Sequence, residues 1–405
     1  MSCQKPLGLR LDDHYRTMIS QKQQQIKILA GNYPSVLWIR GPAGSGKTFL
    51  LIEKAVTLAK GILEDHSKAN EKILVLCNNL ILCKALEKTV KGKLPADKDV
   101  SSFLHFKTFS KLVMSLTNYH KFPNSKQQKE RCVNLALENL QTQVESTSGI
   151  NYSMYDHILV DEGHDFYGNN WPKLLHHMHK NFHFPKEEFL AKPGFFWVMY
   201  DSNQHLYFAK ERASLHCVHL RNSAKLNEVI RNTGHIFEQS RKYFKSLMPN
   251  DSPIRLGHGL PGLPIEWDHS LVSRSDEEKE GAKSVIQWIK KLQREKVHPK
   301  DICILVENRE KQRLLQREIE GIGEKCQTGD DLVEKSHNCV VLETTRQFKG
   351  LESKVVILYN PPFQDDPSIC TKELLSTAVS RCSCFLVVIS TKEGCMALKS
   401  DGGVN

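Results

Sequence analysis

The sequence predicts an α/β fold in which two domains are each built on a mostly parallel sheet with helices on both faces. Short apolar, β-prone runs alternate with longer segments whose apolar residues recur at helical spacing, and this order repeats along the chain. The 405 residues are enough for more than one core. A stretch rich in proline and glycine, at 248–264, separates two such halves. We expect one domain at 1–213, with a short insert at about 111–156, and a second at 214–405.

The candidate strands are short apolar runs rich in valine, isoleucine and leucine, which is typical of strands buried on both faces. They lie at 36–39, 73–77, 157–160 and 195–200 in the first half, and at 302–306, 339–342, 355–358 and 385–389 in the second. In open parallel sheets, ligands bind at the carboxyl ends of the strands. The functional residues are therefore expected to follow these runs.

A phosphate-binding loop follows the first candidate strand and precedes a segment of helical spacing. Its residues are Gly41, Pro42, Ala43, Gly44, Ser45, Gly46, Lys47 and Thr48. The glycines let backbone N–H groups converge on phosphate oxygens, and the helix that follows points its positive end at the same anion. Lys47 is expected to reach the β- and γ-phosphates, and Thr48 to coordinate Mg²⁺. This loop predicts a site for a nucleoside triphosphate.

Adjacent carboxylates follow the candidate strand at 157–160. Hydrolysis of a magnesium nucleotide needs one carboxylate to hold the metal through water and a second to polarise the attacking water. We assign Asp161 to the metal and Glu162 to the water. Gln204 follows the strand at 195–200, where an amide can contact both the γ-phosphate and the water. The alternative for Gln204 is an exposed turn.

These motifs, in this order, resemble those of a superfamily 1 helicase of the UvrD/Rep type, most closely the helicase domain of the group III Schlafen proteins. The matching segments are 35–48, 157–166 (motif II), 193–204 (motif III) and 346–357 (motif V). The resemblance implies two RecA-like P-loop NTPase domains with ATP and Mg²⁺ in the cleft between them. It also implies an ATP-hydrolysing motor that acts on single-stranded DNA or RNA.

The resemblance assigns further residues by their place in the family's motifs. Arg231 (motif IV) and Arg381 (motif VI) would contact the γ-phosphate as catalytic residues, and Glu352 would contact the ribose. The residues that would contact nucleic acid are Thr108, Phe109, Tyr207 and Thr344. A core or rim position is the alternative for the two aromatic residues.

Two features separate this chain from the family pattern. Motif II has a histidine, His164, where glutamine is usual, which can alter the coupling of hydrolysis to domain motion. Little length remains for accessory domains. Besides the ATP-dependent translocase or helicase, the sequence therefore leaves open a nucleotide-gated clamp that binds nucleic acid or a protein with weak or no unwinding. A small-molecule P-loop kinase would leave Gln204, Arg231 and Arg381 without a role.

Composition fits this class of function without proving it. The net charge of +10 suits a polyanion partner such as single-stranded nucleic acid. No apolar run is long enough to cross a bilayer, and no signal peptide is evident, so no membrane partner is expected.

The scattered cysteines indicate free thiols and a cytoplasmic or nuclear location. A histidine group at 176–183 favours a polar helix and loop over a metal site.

Overall fold

Two parallel sheets of six strands each organise the computed structural model of the chain. The structure describes residues 5–20, 22–31, 35–145, 154–179, 194–201, 223–244, 253–271, 280–329, 338–363 and 371–400. Helices pack on both faces of each sheet. The predicted α/β fold class is thus confirmed.

The first sheet has the strand order β3-β2-β4-β5-β1-β6. Its strands are β1 (Val36–Arg40), β2 (Ile73–Cys77), β3 (Leu104–Thr108), β4 (His157–Val160), β5 (Phe196–Tyr200) and β6 (Ser223–Lys225). The helices of this half are α1 (Leu7–Ile19), α2 (Gln23–Ala30), α3 (Lys47–Glu64), α4 (Leu80–Lys91), α5 (Phe109–Ser115), α6 (Lys126–Glu145) and α7 (Trp171–Met178).

The second sheet has the strand order β11-β12-β10-β13-β14-β9. A separate pair, β7 (Glu228–Val229) and β8 (Arg255–Leu256), lies between the two sheets in the chain. The sheet strands are β9 (Glu266–Leu271), β10 (Ile302–Val306), β11 (Cys326–Gln327), β12 (Val340–Thr344), β13 (Ser353–Tyr359) and β14 (Cys382–Thr391). The helices are α8 (Gly234–Arg241), α9 (Glu280–Arg294), α10 (Arg309–Gly321), α11 (Thr371–Ser380) and α12 (Lys392–Lys399).

The interior strands are mostly apolar because both of their faces are buried. Leu37 and Ile39 of β1 point into one core cluster, whereas Trp38 between them points into the cluster on the opposite face. The second sheet repeats this arrangement, with Ile304 on one face and Leu305 on the other. Successive side chains of a strand alternate between faces, so a strand covered on both sides is a nearly continuous apolar run.

The predicted domain limits at residues 213 and 214 do not match the two sheets. Strand β6 pairs with β1, with Trp38 opposite Ser223, so the first sheet includes chain beyond residue 213. Helix α1 packs on the second sheet, where Leu11 and Met18 join its core. The boundary was misplaced because β6 is short and polar, and because the apolar stripe of α1 does not say which sheet it covers.

Two expectations about composition can be compared with the described residues. Cysteines in these ranges are free thiols, and all of them except Cys326 are buried. None of the helices described combines the length and apolar character needed to cross a bilayer.

Candidate active site between the two sheets

The phosphate loop connects β1 to α3 and is shaped by two glycines in the left-handed region, Gly44 (φ 76°) and Gly46 (φ 84°). A Cβ on Gly44 would lie 2.7 Å from Asn232 Oδ1, so both the backbone angle and the space require glycine. Lys47, the first residue of α3, folds its ammonium back to donate to the carbonyl oxygens of Gly41 (2.7 Å) and Pro42 (2.9 Å). The loop is therefore held in a ring by its own lysine.

The two carboxylates predicted for hydrolysis follow β4 directly. Thr48 Oγ1 donates to Asp161 Oδ2 at 2.8 Å, which brings the two residues predicted as metal ligands together. Glu162 has a left-handed backbone (φ 52°), and strain of this kind in a non-glycine residue is concentrated at functional sites. It is also buried, with only 7% of its surface exposed. The strand end thus aims the second carboxylate into the cleft between the sheets.

Burial and neighbouring charges set the protonation of this pair. Burial, followed by the Glu162 carboxylate, raises the pKa of Asp161 to about 7. Burial also acts to raise the pKa of Glu162, but the cations Lys349, Lys47 and Arg381 outweigh it and hold that pKa below its usual range. Glu162 is therefore the carboxylate that stays ionised at neutral pH.

The residues present fit a magnesium ion. Thr48 Oγ1 and the Asp161 carboxylate are oxygen donors, the ligand type that Mg²⁺ prefers. An aspartate whose pKa is raised by burial is also a group that a bound cation would favour in its ionised form.

A cavity of about 500 Å³ lies between the two sheets and is lined from both. The residues that line it include the phosphate loop, Glu162, both predicted arginines and the predicted ribose residue. The lining residues predicted from sequence are Ala43, Gly44, Gly46, Lys47, Thr48, Glu162, Arg231, Glu352 and Arg381. Gly41, Pro42, Ser45 and Asp161 do not line it; Gly41 and Pro42 hold Lys47, and Asp161 holds Thr48.

The two arginines reach this cavity in different ways. Arg231 joins the halves, because its backbone N–H donates to Gly44 O (3.2 Å) while its guanidinium donates to Glu352 Oε2 (3.2 Å) and Ser380 O (2.8 Å). Arg381 follows α11, is only 2% exposed, and donates to the carbonyl of Thr377. Burial lowers the pKa of Arg381 to about 10, so it remains charged at neutral pH.

A buried polar network on the far side of Glu162 also joins the two halves. His164 accepts from the Asp201 N–H at Nδ1 (3.1 Å), and its Nε2 lies 3.2 Å from Glu162 Oε2. Lys349, from the loop between β12 and β13, places its Nζ 3.0 Å from His164 Nε2 and donates to Asp165 at 2.7 Å. Burial raises the pKa of Asp165 to about 6, although Lys349 opposes the shift.

The same network has the dimensions of a metal site. Glu162, His164 and Asp165 offer ligand atoms within 4.8 Å of one another. The Lys349 ammonium already contacts two of these three residues. We therefore take the positive charge at this position to come from the second half of the chain.

The nucleic-acid residues inferred from the resemblance require correction. Thr108 is 4% exposed and caps α5 by accepting from the Lys111 N–H. Phe109 is fully buried and stacks on Phe166 at 4.3 Å between ring centroids, so its ring offers no face to a base. Thr344 is 5% exposed, and its hydroxyl accepts from the Gln347 N–H. These positions support the structure; Gln204 and Tyr207 lie outside the described residues.

The sequence analysis missed several residues of the site. Tyr15 and Lys22, from the N-terminal helices, line the cavity together with Phe49. Gln25 is 1% exposed and donates to the Ser45 carbonyl at 2.6 Å, which braces the phosphate loop from outside. No motif marks these positions. Lys349 and Asp165 do lie inside the motif segments, but their sequence neighbours are also charged or polar, so no local signal set them apart.

Comparison with known proteins agrees with this architecture. Residues 9–185 match the family model described as "Type III restriction enzyme, res subunit". The comparison with curated proteins gives no match. Among solved structures, S. cerevisiae Dbp5 bound to RNA and ADP BeF3 is similar with a TM-score of 0.51 and 11% identity, over 97% of this chain and 91% of that one.

Two further solved structures show weaker likeness. The C-terminal domain of a possible DNA helicase from Lactobacillus plantarum WCFS1 has a TM-score of 0.32 and 15% identity, over 42% of this chain and 94% of that one. Arterivirus nonstructural protein 10 (helicase) has a TM-score of 0.39 and 12% identity, over 93% of this chain and 64% of that one.

The likeness to Dbp5 is a likeness of fold. The family match covers residues 9–185, less than half of the chain, and includes the phosphate loop and the paired carboxylates. Membership of a helicase superfamily is therefore part of the proposed function below. The finer resemblance to the UvrD/Rep type and to the Schlafen helicase domain stays a prediction.

Proposed function

We propose that this chain is an ATP-dependent translocase or helicase of the UvrD/Rep type that acts on single-stranded nucleic acid. The observation that carries the proposal is the cavity between the two sheets, lined by Lys47, Thr48 and Glu162 from one side and by Arg231 and Arg381 from the other. A nucleotide in that position contacts both domains at once. Its hydrolysis can then change how the domains sit against each other.

Binding of ATP uses groups that the cavity already presents. The loop amides and Lys47 would hold the triphosphate, and the Glu352 carboxylate would accept from the ribose hydroxyls. Thr48 and Asp161 would hold Mg²⁺, whose contribution is to neutralise the phosphate charge. Lys47 must first leave the carbonyl oxygens of Gly41 and Pro42, which the stronger attraction of a phosphate favours.

Hydrolysis is assigned to Glu162 and the two arginines. Glu162 is ionised and lines the cavity, so it can take a proton from a water that attacks the γ-phosphate. Arg231 and Arg381 would stabilise the charge that develops on the phosphoryl oxygens. The Lys349 contact with His164 and Asp165 lies directly behind Glu162, so movement of the second domain would also move the surroundings of this carboxylate.

The nucleic-acid part of the proposal rests on chemistry beside this site. A second cavity of about 280 Å³ is lined by Asn78, Asn79, Arg346, Gln347 and Lys349, and it shares Glu162 with the first. Amide and guanidinium donors suit a phosphate backbone. The net charge of +10 favours the same class of partner, and the solved structure of Dbp5 includes RNA. A cytoplasmic or nuclear location belongs to this proposal.

The test is ATP hydrolysis by the purified chain, with and without single-stranded DNA or RNA. Glu162→Gln should lower kcat by about 10²- to 10⁴-fold while ATP still binds, because only the proton acceptor is lost. Arg381→Ala should lower kcat comparably. Stimulation by one polymer that disappears in both variants supports the motor, and absence of hydrolysis under every condition would contradict it.

Strand displacement decides between the motor and the clamp with weak or no unwinding. A duplex with a single-stranded tail should be opened in an ATP-dependent reaction if the chain is a helicase. Hydrolysis stimulated by nucleic acid without opening or movement would favour the nucleotide-gated clamp. The engaged His164, which replaces the usual glutamine of motif II, is the observation that keeps this alternative open.

A further inference from the structure

The two N-terminal helices cross from one domain to the other beside the nucleotide cavity. Helix α1 is anchored on the second sheet: Gly8 N–H donates to Glu295 O (2.9 Å), Leu11 is buried in the core, and Asp12 accepts from Lys354 at 2.6 Å. Helix α2 is anchored on the first domain, where Gln25 donates to the Ser45 carbonyl and Ile28 enters the core. The chain therefore forms a strap, α1 and α2, that spans the cleft.

The strap contributes a wall to the nucleotide cavity. Tyr15 and Ile19 of α1 and Lys22 before α2 line the cavity together with Glu352 and Arg231. Tyr15 also makes a hydrogen bond to the residue predicted to contact the ribose. Its hydroxyl donates to Glu352 Oε1 at 2.9 Å.

Glu352 is therefore held by both of its oxygens. Tyr15 donates to Oε1, and Arg231 donates to Oε2 at 3.2 Å. A carboxylate with both oxygens engaged has its plane and its remaining lone pairs fixed, and such preorganisation favours a partner that fits those lone pairs. The carboxylate also acts to raise the pKa of the Tyr15 hydroxyl, which keeps that hydroxyl a donor.

We propose that Tyr15 is a positioning residue that orients Glu352 toward the sugar hydroxyls, so that the strap gives the site its preference for ribonucleoside over deoxyribonucleoside triphosphates. This inference rests on the proposed function, because Glu352 must contact the sugar. Tyr15 itself acts through Glu352 and need not touch the nucleotide. Loss of its hydroxyl should therefore weaken recognition of the sugar and leave the phosphate chemistry intact.

The experiment compares binding of ATP, 2′-deoxy-ATP and 3′-deoxy-ATP to the full chain and to Tyr15→Phe, with kcat measured alongside. We expect Tyr15→Phe to raise the Kd for ATP about three- to tenfold, the scale of one typical hydrogen bond. The Kd for the deoxynucleotide that lacks the contacted hydroxyl should change by less than about twofold, since this nucleotide makes no contact with Glu352 through that hydroxyl. The ratio of the Kd for the deoxynucleotide to the Kd for ATP would therefore fall, while kcat stays close to that of the unsubstituted chain.

Two further variants control for structure. Tyr243→Phe removes a buried tyrosine hydroxyl that accepts from Gln239 Nε2 at 2.8 Å, away from the cavity, and should leave nucleotide preference unchanged. Glu352→Ala should abolish the preference for ATP over the deoxynucleotides. Adding Tyr15→Phe to Glu352→Ala should not change the Kd values further. The inference is overturned if Tyr15→Phe raises the Kd of all three nucleotides equally, or if the preference for ATP over the deoxynucleotides is unchanged. A chain that binds no nucleotide at all contradicts the proposed function as well.

Discussion

Gly44 shows at the scale of one residue how the phosphate loop is matched to the second domain. The backbone N–H groups of Ile230 and Arg231 both donate to the Gly44 carbonyl, at 3.0 and 3.2 Å. The side-chain amide of Asn232 donates to the carbonyl oxygens of Ser380 and Cys382, the residues on either side of Arg381. The absence of a side chain at Gly44 thus permits the contact between loop and arginines.

We predict that Gly44→Ala lowers ATP affinity by at least about tenfold, because the methyl group would meet Asn232 and the left-handed backbone would be strained. A titration with a fluorescent ATP analogue measures this. Gly61→Ala is the matched control: it lies in helix α3 with nothing within 4 Å of the added Cβ. It should bind normally and gain up to about 1 kcal/mol of stability. Binding by Gly44→Ala within twofold of the unsubstituted chain would contradict the prediction.

Helix α1 shows at the scale of an element that position in the chain does not decide domain membership. It is the first described helix, yet its buried residues Leu11 and Met18 belong to the core of the second sheet. Cys384 of β14 contacts its backbone as well, through Sγ to Leu11 O at 3.7 Å. The stability of the second domain should therefore depend on the N-terminal helix.

We predict that Leu11→Ala lowers the free energy of unfolding by about 2–5 kcal/mol, the range for truncation of a buried leucine. Urea denaturation measures the change, and hydrogen exchange should show the loss in the strands of the second sheet. Leu9→Ala, in the same helix but 45% exposed, should cost less than about 0.5 kcal/mol. Equal effects of the two substitutions would show that α1 is not docked as described.

Helix α7 carries histidines that burial keeps neutral. Burial lowers the pKa of His176 to about 4 and that of His179, which follows the helix, to about 4. The His176 ring lies 4.6 Å from that of Phe196 in β5. In the helix, His176 therefore packs on the sheet, whereas His177 contacts Gln141 of α6.

This burial predicts a loss of stability in acid that begins near pH 6.5. The unfolded chain binds protons at these histidines near pH 6.5 whereas the folded chain does not, so stability falls as pH drops from about 6.5 toward 4. Each group contributes at most about 1.4 kcal/mol per pH unit. His176→Phe should flatten the decline in Tm between pH 6.5 and 5, and His120→Phe, at an exposed position, should not. If Tm falls equally steeply with pH in His176→Phe, burial of this histidine is not a cause of the acid sensitivity.

At the scale of the whole molecule, polar contacts around the cavity join the two domains, beside an apolar contact of Ile81 with the second core. Lys349 is 3% exposed and enters the first domain to bond Asp165 and His164. Asn79 of the first domain donates to the Gln347 carbonyl of the second at 2.8 Å, and Arg231 bonds both halves. Contacts of this kind can break and re-form as the domains move, which a continuous apolar interface resists.

We predict that Lys349→Met lowers stability by about 3–5 kcal/mol, because Asp165 is left as an uncompensated buried charge. Stimulated ATP hydrolysis should fall at least about tenfold, since the contact behind Glu162 is lost. Denaturant unfolding and ATPase assays measure the two effects.

Lys311→Met is the control for this change, since its pair with Glu307 (3.2 Å) is partly exposed and worth less than about 1 kcal/mol. Adding Asp165→Asn to Lys349→Met should restore part of the stability but not the hydrolysis. Full activity in Lys349→Met would show that the contact plays no part in the cycle.

The predicted strands show which parts of the fold a sequence reveals. Every run predicted as a strand became an interior strand of one of the two sheets, whereas the four edge strands, β3, β6, β9 and β11, were not predicted. An interior parallel strand is apolar at most positions because both faces are covered. Edge strands such as β9, whose residues include Glu266, Asp268 and His269, are partly exposed and lack that signal.

The sequence by itself predicted the α/β class and marked the phosphate loop and the paired carboxylates, since phosphate binding and metal-assisted hydrolysis need particular side chains at set spacings after a strand. Arg231 and Arg381 were predicted only through the order of motifs in the family that the sequence resembles. Tertiary structure alone decided that α1 belongs to the second sheet, that Tyr15 and Lys349 reach the site, and that Phe109 is core. These facts depend on contacts between residues far apart in the chain, such as Tyr15 with Glu352. Contacts at such separation leave no local pattern, because each partner alone is an ordinary residue of its own helix or loop.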